Sequence, residues 1–227
     1  MTALAIDTAT EACSAALLHD EQVYRRFEMA PRQHARLLLP MLESLLDEAD
    51  CQRQDIEWIA FGQGPGAFTG VRIAAGIAHG LAQGLGCGLF PVSTLAALAA
   101  RAQDEATAPV LACLDARMGE VYWGCYEASG NGPHLLGQER VCAPESVTAN
   151  GLAVEQCIGI GPGWASYGEA LPAALGQAPA RVLPEVFPDA ADMLAIASRR
   201  LAAGEPLKTA REAQPVYLRD NVAVPGK

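Results

Sequence analysis

One pattern occurs twice in this chain, and it restricts the possible folds more than any other feature. Leu4-Ala5-Ile6-Asp7, followed by a strand from Ala12, is matched by Ala112-Cys113-Leu114-Asp115, followed by a strand from Glu120. Phe61-Gly62-Gln63-Gly64-Pro65-Gly66 with Thr69 is matched by Ile158-Gly159-Ile160-Gly161-Pro162-Gly163 with Ser166. In each copy a strand delivers an Asp, a hairpin follows, and a later strand runs into a Gly-Pro-Gly loop. The landmarks lie closer together in the second copy, which a trimmed helix accounts for. Tandem copies of this kind predict an α/β protein built from two related units.

Taken in order, residues 2–6, 12–18 and 22–29 read as a three-strand meander of short apolar runs. A helix over 33–49, a strand over 58–61, a helix over 69–85, a strand over 89–92 and a helix over 94–103 follow. In the second half, 121–126 and 134–141 form the meander around the Ser129-Gly130-Asn131-Gly132-Pro133 turn. Residues 189–203 read as a last amphipathic helix and 215–218 as an extended tail. Strand, Asp, hairpin, helix and glycine loop in tandem describe two ribonuclease-H-like units with mixed sheets and flanking helices, the architecture of actin, Hsp70 and sugar kinases. This is an analogy of fold and does not define function. The units are expected at 1–104 and 105–227, with the last helix packing back on the first.

The loop at residues 62–69 admits three readings. Gly62-Gln63-Gly64-Pro65-Gly66-Ala67 matches the dinucleotide fingerprint, but no Asp or Glu occurs between Glu57 and Asp104 to hold a ribose, and no Gly-Lys-Ser/Thr supplies a P-loop. The second reading is a turn into a buried helix with Thr69 as N-cap. The third is a loop inherited from a nucleotide-binding ancestor.

Two helices carry unusual faces. Gly76, Gly80 and Gly84 are four apart and make one ridge, at a cost of about 0.8–1 kcal/mol each relative to alanine, so a close backbone approach must offset it. That approach comes either from a partner or from the protein's own sheet. Leu37, Leu38, Leu39, Met41, Leu42, Leu45 and Leu46 form a band wider than one sheet face needs. It marks either an interface or a helix wedged between two layers. Pro40 is expected to kink its first turns.

The 227 residues carry a net charge of −10, which disfavours autonomous binding of tRNA or DNA. The seven cysteines include no C-x-x-C and sit among apolar neighbours, as small buried hydrophobes in a reducing cytoplasm do. The N-terminus lacks the basic region of a signal peptide. Residues 73–100 are uncharged, but Pro91, His79, Gln83 and the glycines argue for a core segment and against a membrane span.

Several blocks together resemble the TsaB family, also called YeaZ. They are Ala5 to Thr10, His34 with Leu38-Leu39-Pro40, Gly64-Pro65-Gly66-Ala67-Phe68-Thr69-Gly70-Val71-Arg72, Asp115-Ala116-Arg117-Met118-Gly119-Glu120-Val121-Tyr122, and Pro215-Val216-Tyr217-Leu218-Arg219. The resemblance implies a non-catalytic, cytoplasmic relative and activator of TsaD, the enzyme that makes threonylcarbamoyladenosine at position 37 of tRNA. It implies TsaD as partner, TsaE through the TsaD complex, tRNA only through that complex, a homodimer when alone, and no membrane. In TsaD, two histidines of Val-Asn-His-Leu-Glu-Gly-His bind a metal, and Thr94 and Leu98 occupy those places here. No metal and no cofactor is expected, nor any catalytic residue. Asp7, Thr8 and Asp115 are expected as relics of a nucleotide site. The partner surface is expected at His34, Leu38, Met41, Leu42, Leu45, Arg72, Ala75, Gly76, Gly80 and Gly84. The alternatives are an actin-fold small-molecule kinase or ATPase, which needs a catalytic base, and a metallopeptidase, which needs a nucleophile or metal. Neither G-x-S-x-G nor H-E-x-x-H occurs.

Overall fold

The computed structural model describes residues 1–103 and 108–219. In the first half, β1 (Ala3–Asp7) is buried along its whole length, as a continuous apolar run requires when both faces are covered. It pairs antiparallel with β2 (Ala12–His19), which pairs antiparallel with the more exposed β3 (Gln22–Met29). On its other side β1 runs parallel to β4 (Trp58–Gly62), and β4 runs parallel to β5 (Gly88–Val92). The sheet order is β3-β2-β1-β4-β5.

The second half contains β6 (Val110–Arg117), β7 (Glu120–Glu127), β8 (His134–Cys142), β9 (Ile158–Ile160) and β10 (Arg181–Leu183). Their order is β8-β7-β6-β9-β10, with the same parallel and antiparallel pairings as the first sheet. The sequence repeat is therefore a repeat of sheet topology, down to the parallel fifth strand.

The helices are α1 (His34–Glu48), α2 (Phe68–Leu85), α3 (Thr94–Gln103), α4 (Pro162–Ser166), α5 (Ala170–Leu175) and α6 (Ala190–Ala202). Strand and helix ends differ from expectation by a residue or two, the usual fraying. Two differences go further. Helix α2 begins at Phe68, and its N-cap Ala67 makes no side-chain cap bond, so Thr69 is inside the helix. The turn is closed instead by the Ala67 N–H donating to Ala9 O at 2.7 Å. The counterpart of α1 is also replaced, not trimmed: 3-10 turns at Pro144–Ser146 and Val154–Gln156 stand there. Pro144, Asn150 and Gly151 interrupt any helical period in that stretch, and Asn150 and Gly151 have positive φ.

Each sheet has an inner and an outer face. Ala3 and Ala5 of β1 point to a central core shared with Leu95 and Leu98 of α3, Ala112 and Leu114 of β6, and Met193 and Ile196 of α6. Leu4 and Ile6, of opposite parity, point outward to α1 and α2. On the outer face of the second sheet, Leu111, Cys113, Trp123 and Trp164 pack together. Helix α6 lies on β1, β2 and β4, while α3 crosses to β6, β7 and β9. The expected boundary between 104 and 105 lies outside the described residues.

After α6 the chain returns along the molecule. Lys208 exchanges two backbone hydrogen bonds with Leu89 at 2.8 and 2.9 Å and so covers the β5 edge. His79 Nε2 is 2.7 Å from Ala213 O, and the Val216 N–H donates to Gln63 O at 2.7 Å. Arg219 then pairs with Glu120 of the second half.

Candidate functional site

The two acids expected as relics, Asp7 and Asp115, lie at or near the ends of equivalent strands but meet different surroundings. Asp7 is wholly buried at the end of β1. Its Oδ1 accepts from the Ala9 N–H at 3.3 Å, and its Oδ2 has no hydrogen-bond partner. Burial pushes its carboxyl up to about 7; the Ala9 hydrogen bond opposes this and the nearby Asp189 adds to it. Gly62 seals the group, because a Cβ there would stand 2.0 Å from Asp7 Oδ1. Thr8 donates its hydroxyl to Gly70 O at 2.7 Å, tying the strand end to the first turn of α2.

These contacts give the glycines of the loop a purpose other than phosphate binding. A Cβ at Gly66 would lie 2.3 Å from Ala9 O, and one at Gly70 would lie 2.0 Å from Thr8 O. The loop needs glycine so that its backbone can press against the β1–β2 turn. The second half does the same, with Cys113 O 2.4 Å from a Cβ at Gly161.

Asp115 is half-buried and lines a cleft of about 450 Å³ between the halves. Its Oδ1 accepts from the Arg117 N–H at 2.8 Å and its Oδ2 from Arg117 Nη1 at 3.1 Å. Arg117 Nη2 reaches across to Glu11 Oε1 at 2.5 Å. The acid is thus held by a cation that also spans the cleft. Thr94 and Leu98 are fully buried, Leu98 in the central core, and neither lines the cleft. The Thr94 N–H donates to Gly64 O at 2.9 Å. Among the described residues, no group of three His, Cys, Asp or Glu is placed to hold a metal ion.

The expected partner residues divide by helical phase. Leu38, Leu42, Leu45 and Ala75 belong to the protein's own outer core, which corrects their assignment to an exposed face. Their spacing along α1, four and then three residues apart, is the stripe that covers a sheet. His34 is buried with its Nε2 unpartnered and lines the cleft, so it too is no part of an exposed helix face. Met41 is half-buried, its Sδ 3.8 Å from Cys13 Sγ. Arg72, Gly76, Gly80 and Gly84 are exposed, and among the described residues nothing lies within 4 Å of a Cβ built on any of the three glycines. The ridge therefore does not pack on the protein's own sheet.

On α1, Leu39 of the wide apolar band is 47% exposed and Leu37 half-buried; on α2, Ile73, Ile77 and Leu81, which sequence reasoning passed over, are half-buried. Phe68 and Tyr217 lie at the end of the same face, 43% and 41% exposed. The phase opposite to the alanines Ala74, Ala78 and Ala82 marks Ile73, Ile77 and the glycines in the sequence. Tyr217 carries no such signal, because it comes from the tail.

Residues 26–227 match the family described as TsaD, tRNA N6-adenosine threonylcarbamoyltransferase. The chain is 42% identical to the tRNA threonylcarbamoyladenosine biosynthesis protein TsaB of Escherichia coli (strain K12), over all of both chains. It is 36% identical to the TsaB of Haemophilus influenzae, over all of this chain and 98% of that one. Among solved structures it is similar to YeaZ from Pseudomonas aeruginosa, with 47% identity and a TM-score of 0.88 over 96% of this chain and 99% of that one.

Proposed function

Since this chain belongs to the TsaB family of tRNA threonylcarbamoyladenosine biosynthesis proteins, we propose that it acts in that modification as a non-catalytic partner of TsaD. One observation carries the reading beyond the family name: three glycines in one exposed row of an 18-residue helix, with open space above each. Glycine within a helix costs stability, about 0.8–1 kcal/mol each, and no contact among the described residues offsets it. A partner helix laid on the ridge does, because its backbone can approach where no Cβ intervenes. Ile73 and Ile77, each three residues before a glycine of the row, flank the ridge with half-buried apolar surface.

The strand-end residues support the absence of a catalytic role. Asp7 is sealed under Gly62, Thr8 is tied to Gly70, and the loop backbone is filled by the chain's own Ala9. Asp115 is engaged by Arg117. In this reading TsaE joins through the TsaD complex, tRNA is met only there, and two copies of the chain pair through the same helices when TsaD is absent. The setting is the cytoplasm; among the described residues no helix is long and apolar enough to cross a membrane. The two sheets correspond to two units, each completed by a helix from the other.

Reconstitution tests the proposal. Purified chain, TsaD, TsaE and the small-molecule substrates are incubated with unmodified tRNA, and the modified nucleoside is measured with each protein omitted in turn. The expected result is product only when this chain and TsaD are both present. Product from this chain without TsaD overturns the non-catalytic assignment.

A further inference from the structure

Helix α1 begins in the wall of the cleft between the halves, and its positive end lacks the usual compensation. The N-cap Gln33 makes no side-chain cap bond, and no acidic residue stands in the first turn. Gln33 Oε1 is instead taken by Arg36 Nη2 at 2.5 Å. The N-terminus of this 15-residue helix therefore keeps its partial positive charge. A second, independent feature lies at the same place. His34, the first residue of α1, lines the cleft, is 8% exposed, and among the described residues has no hydrogen-bond partner at Nε2. A buried ring nitrogen without a partner is costly, and a group entering the cleft would supply one. Arg32, two residues earlier, lines the same cleft, is exposed, and makes no ion pair among the described residues. The other charged groups of the cleft are joined to one another, since Arg117 holds Asp115 through Nη1 at 3.1 Å and Glu11 through Nη2 at 2.5 Å. Leu114, Ala165 and Phe187 give the cleft apolar surface.

We infer that this cleft binds a small organic carboxylate, its charged end held by Arg32, His34 and the N-terminus of α1 and its apolar body against Leu114, Ala165 and Phe187. The site is independent of the pairing with TsaD. Charge selects a monoanion. With histidine counted as neutral, Glu11 and Asp115 balance Arg117 and Arg32, so the cleft has no surplus cation for a dianion. What it offers is a planar fork of guanidinium donors, an imidazole N–H and a helix end, which together match one carboxylate. A nucleotide fits poorly for the same reason, and because the loop at Gly66 already presses on Ala9 at the strand-end turn. The cleft, of about 450 Å³, has the size of a small-molecule site, roughly 300–1,000 Å³, and the usual mixture of apolar walls and a few polar groups. The chain's net charge of −10 does not prevent entry of an anion, because charges beyond about 8 Å are largely screened at physiological ionic strength.

The full chain, labelled with nitrogen-15, is titrated with benzoate, acetate, inorganic phosphate and benzyl alcohol while its amide resonances are followed. Benzoate is expected to saturate, to move the amides of Thr10, His34 and Ser166 in the cleft wall, and to bind about tenfold or more tighter than acetate, because its ring adds buried apolar area. Benzyl alcohol keeps the ring without the charge, and phosphate keeps the charge without the ring; each is expected to bind at least about tenfold more weakly than benzoate. Arg32→Ala and His34→Phe are each expected to weaken benzoate about tenfold. The melting temperature of His34→Phe is expected to be unchanged or raised, since the substitution removes an unpartnered nitrogen and keeps a ring. Arg53→Ala, an exposed arginine beyond the other end of α1, is expected to leave benzoate binding unchanged. Shifts that never saturate, or unchanged benzoate affinity in Arg32→Ala, overturn the site. So does unchanged affinity in a folded His34→Phe; Arg32 is exposed, so Arg32→Ala decides by itself if His34→Phe melts early. An equal loss in Arg53→Ala overturns the site in favour of general charge attraction. Benzyl alcohol binding as tightly as benzoate overturns the carboxylate in favour of a plain apolar cavity, and phosphate binding as tightly overturns it in favour of an unselective anion site.

Discussion

The two halves share a sheet order and differ in what covers the outer face. In the first half the cover is α1 and α2, of 15 and 18 residues. In the second it is α4 and α5, of five and six residues, with two 3-10 turns. There Trp123 and Trp164 fill the space, their rings 5.8 Å apart and their indole N–H groups donating to Thr148 O and Leu111 O. Large rings can close a face without long helices, since each buries 150–250 Å² by itself. The first half uses long helices whose inner sides are core and whose outer sides are glycine and exposed apolar groups. The comparison teaches that the repeat preserves the sheets, while the long helices with an exposed glycine row belong to one copy only.

The largest expected effect tests which side of α1 is core. Leu42→Glu places a carboxylate in the outer core beside Leu38 and Leu45, and is expected to cost roughly 3–5 kcal/mol. Urea denaturation measures it, and a loss below about 1 kcal/mol breaks the assignment of that phase to the core.

The next prediction contrasts the equivalent acids. Asp7 has a folded-state pKa of about 7 against an ordinary value of 3.8. The folded state therefore holds its proton more tightly than the unfolded chain. The stabilising contribution is full below pH 3.8, falls as pH rises between 3.8 and about 7, and is absent above. Asp7→Asn is expected to remove that decline and to stabilise the protein at pH 8 by a few kcal/mol. Equal pH dependence in wild type and variant breaks the account of a sealed carboxyl.

The glycine loops come third. Gly70→Ala in the first half and Gly163→Ala in the second push a Cβ to 2.0 Å from Thr8 O and 2.2 Å from Cys113 Sγ. Each is expected to cost about 1–3 kcal/mol by thermal melt. The backbone oxygen cannot yield as a side chain can, so Gly70→Ala is expected to be the worse.

The helix glycines behave in the opposite way. Gly76→Ala, Gly80→Ala and Gly84→Ala meet open space and are each expected to stabilise the isolated chain by about 0.5–1 kcal/mol. A drop in melting temperature breaks the claim that the ridge is free. The smallest effect is that of Asp115→Asn. It removes an ion pair with Arg117, which is 71% exposed, and is expected to change stability by less than about 1 kcal/mol in a denaturant titration. A large loss breaks the contrast between the sealed acid and the open one.

Much of this organisation is legible along the chain. The order of strands and helices and the doubled Asp and Gly-Pro-Gly landmarks follow from local periodicity and turn chemistry. Those are short-range properties, and α1, α2, α3 and α6 fall where their spacing puts them. Which side of each outer helix is exposed is only partly legible. The row Arg72, Gly76, Gly80 and Gly84 is exposed, whereas Leu38, Leu42, Leu45 and Ala75 are on the inner side. An over-wide apolar band does not reveal its own phase, because both of its edges look alike until a sheet is placed beneath one of them.

What the sequence determined by itself is therefore the repeated topology and the residue types available at each strand end. Tertiary structure decided that Asp7 is sealed and Asp115 open, because burial depends on whether Gly62 and α6 close over a strand end, and α6 arrives from more than a hundred residues away. It also decided that α3 serves the second sheet, and that Tyr217 stands against Arg72. Contacts between segments so distant in sequence follow from the paths of the connecting chain, and no local pattern of residues encodes those paths.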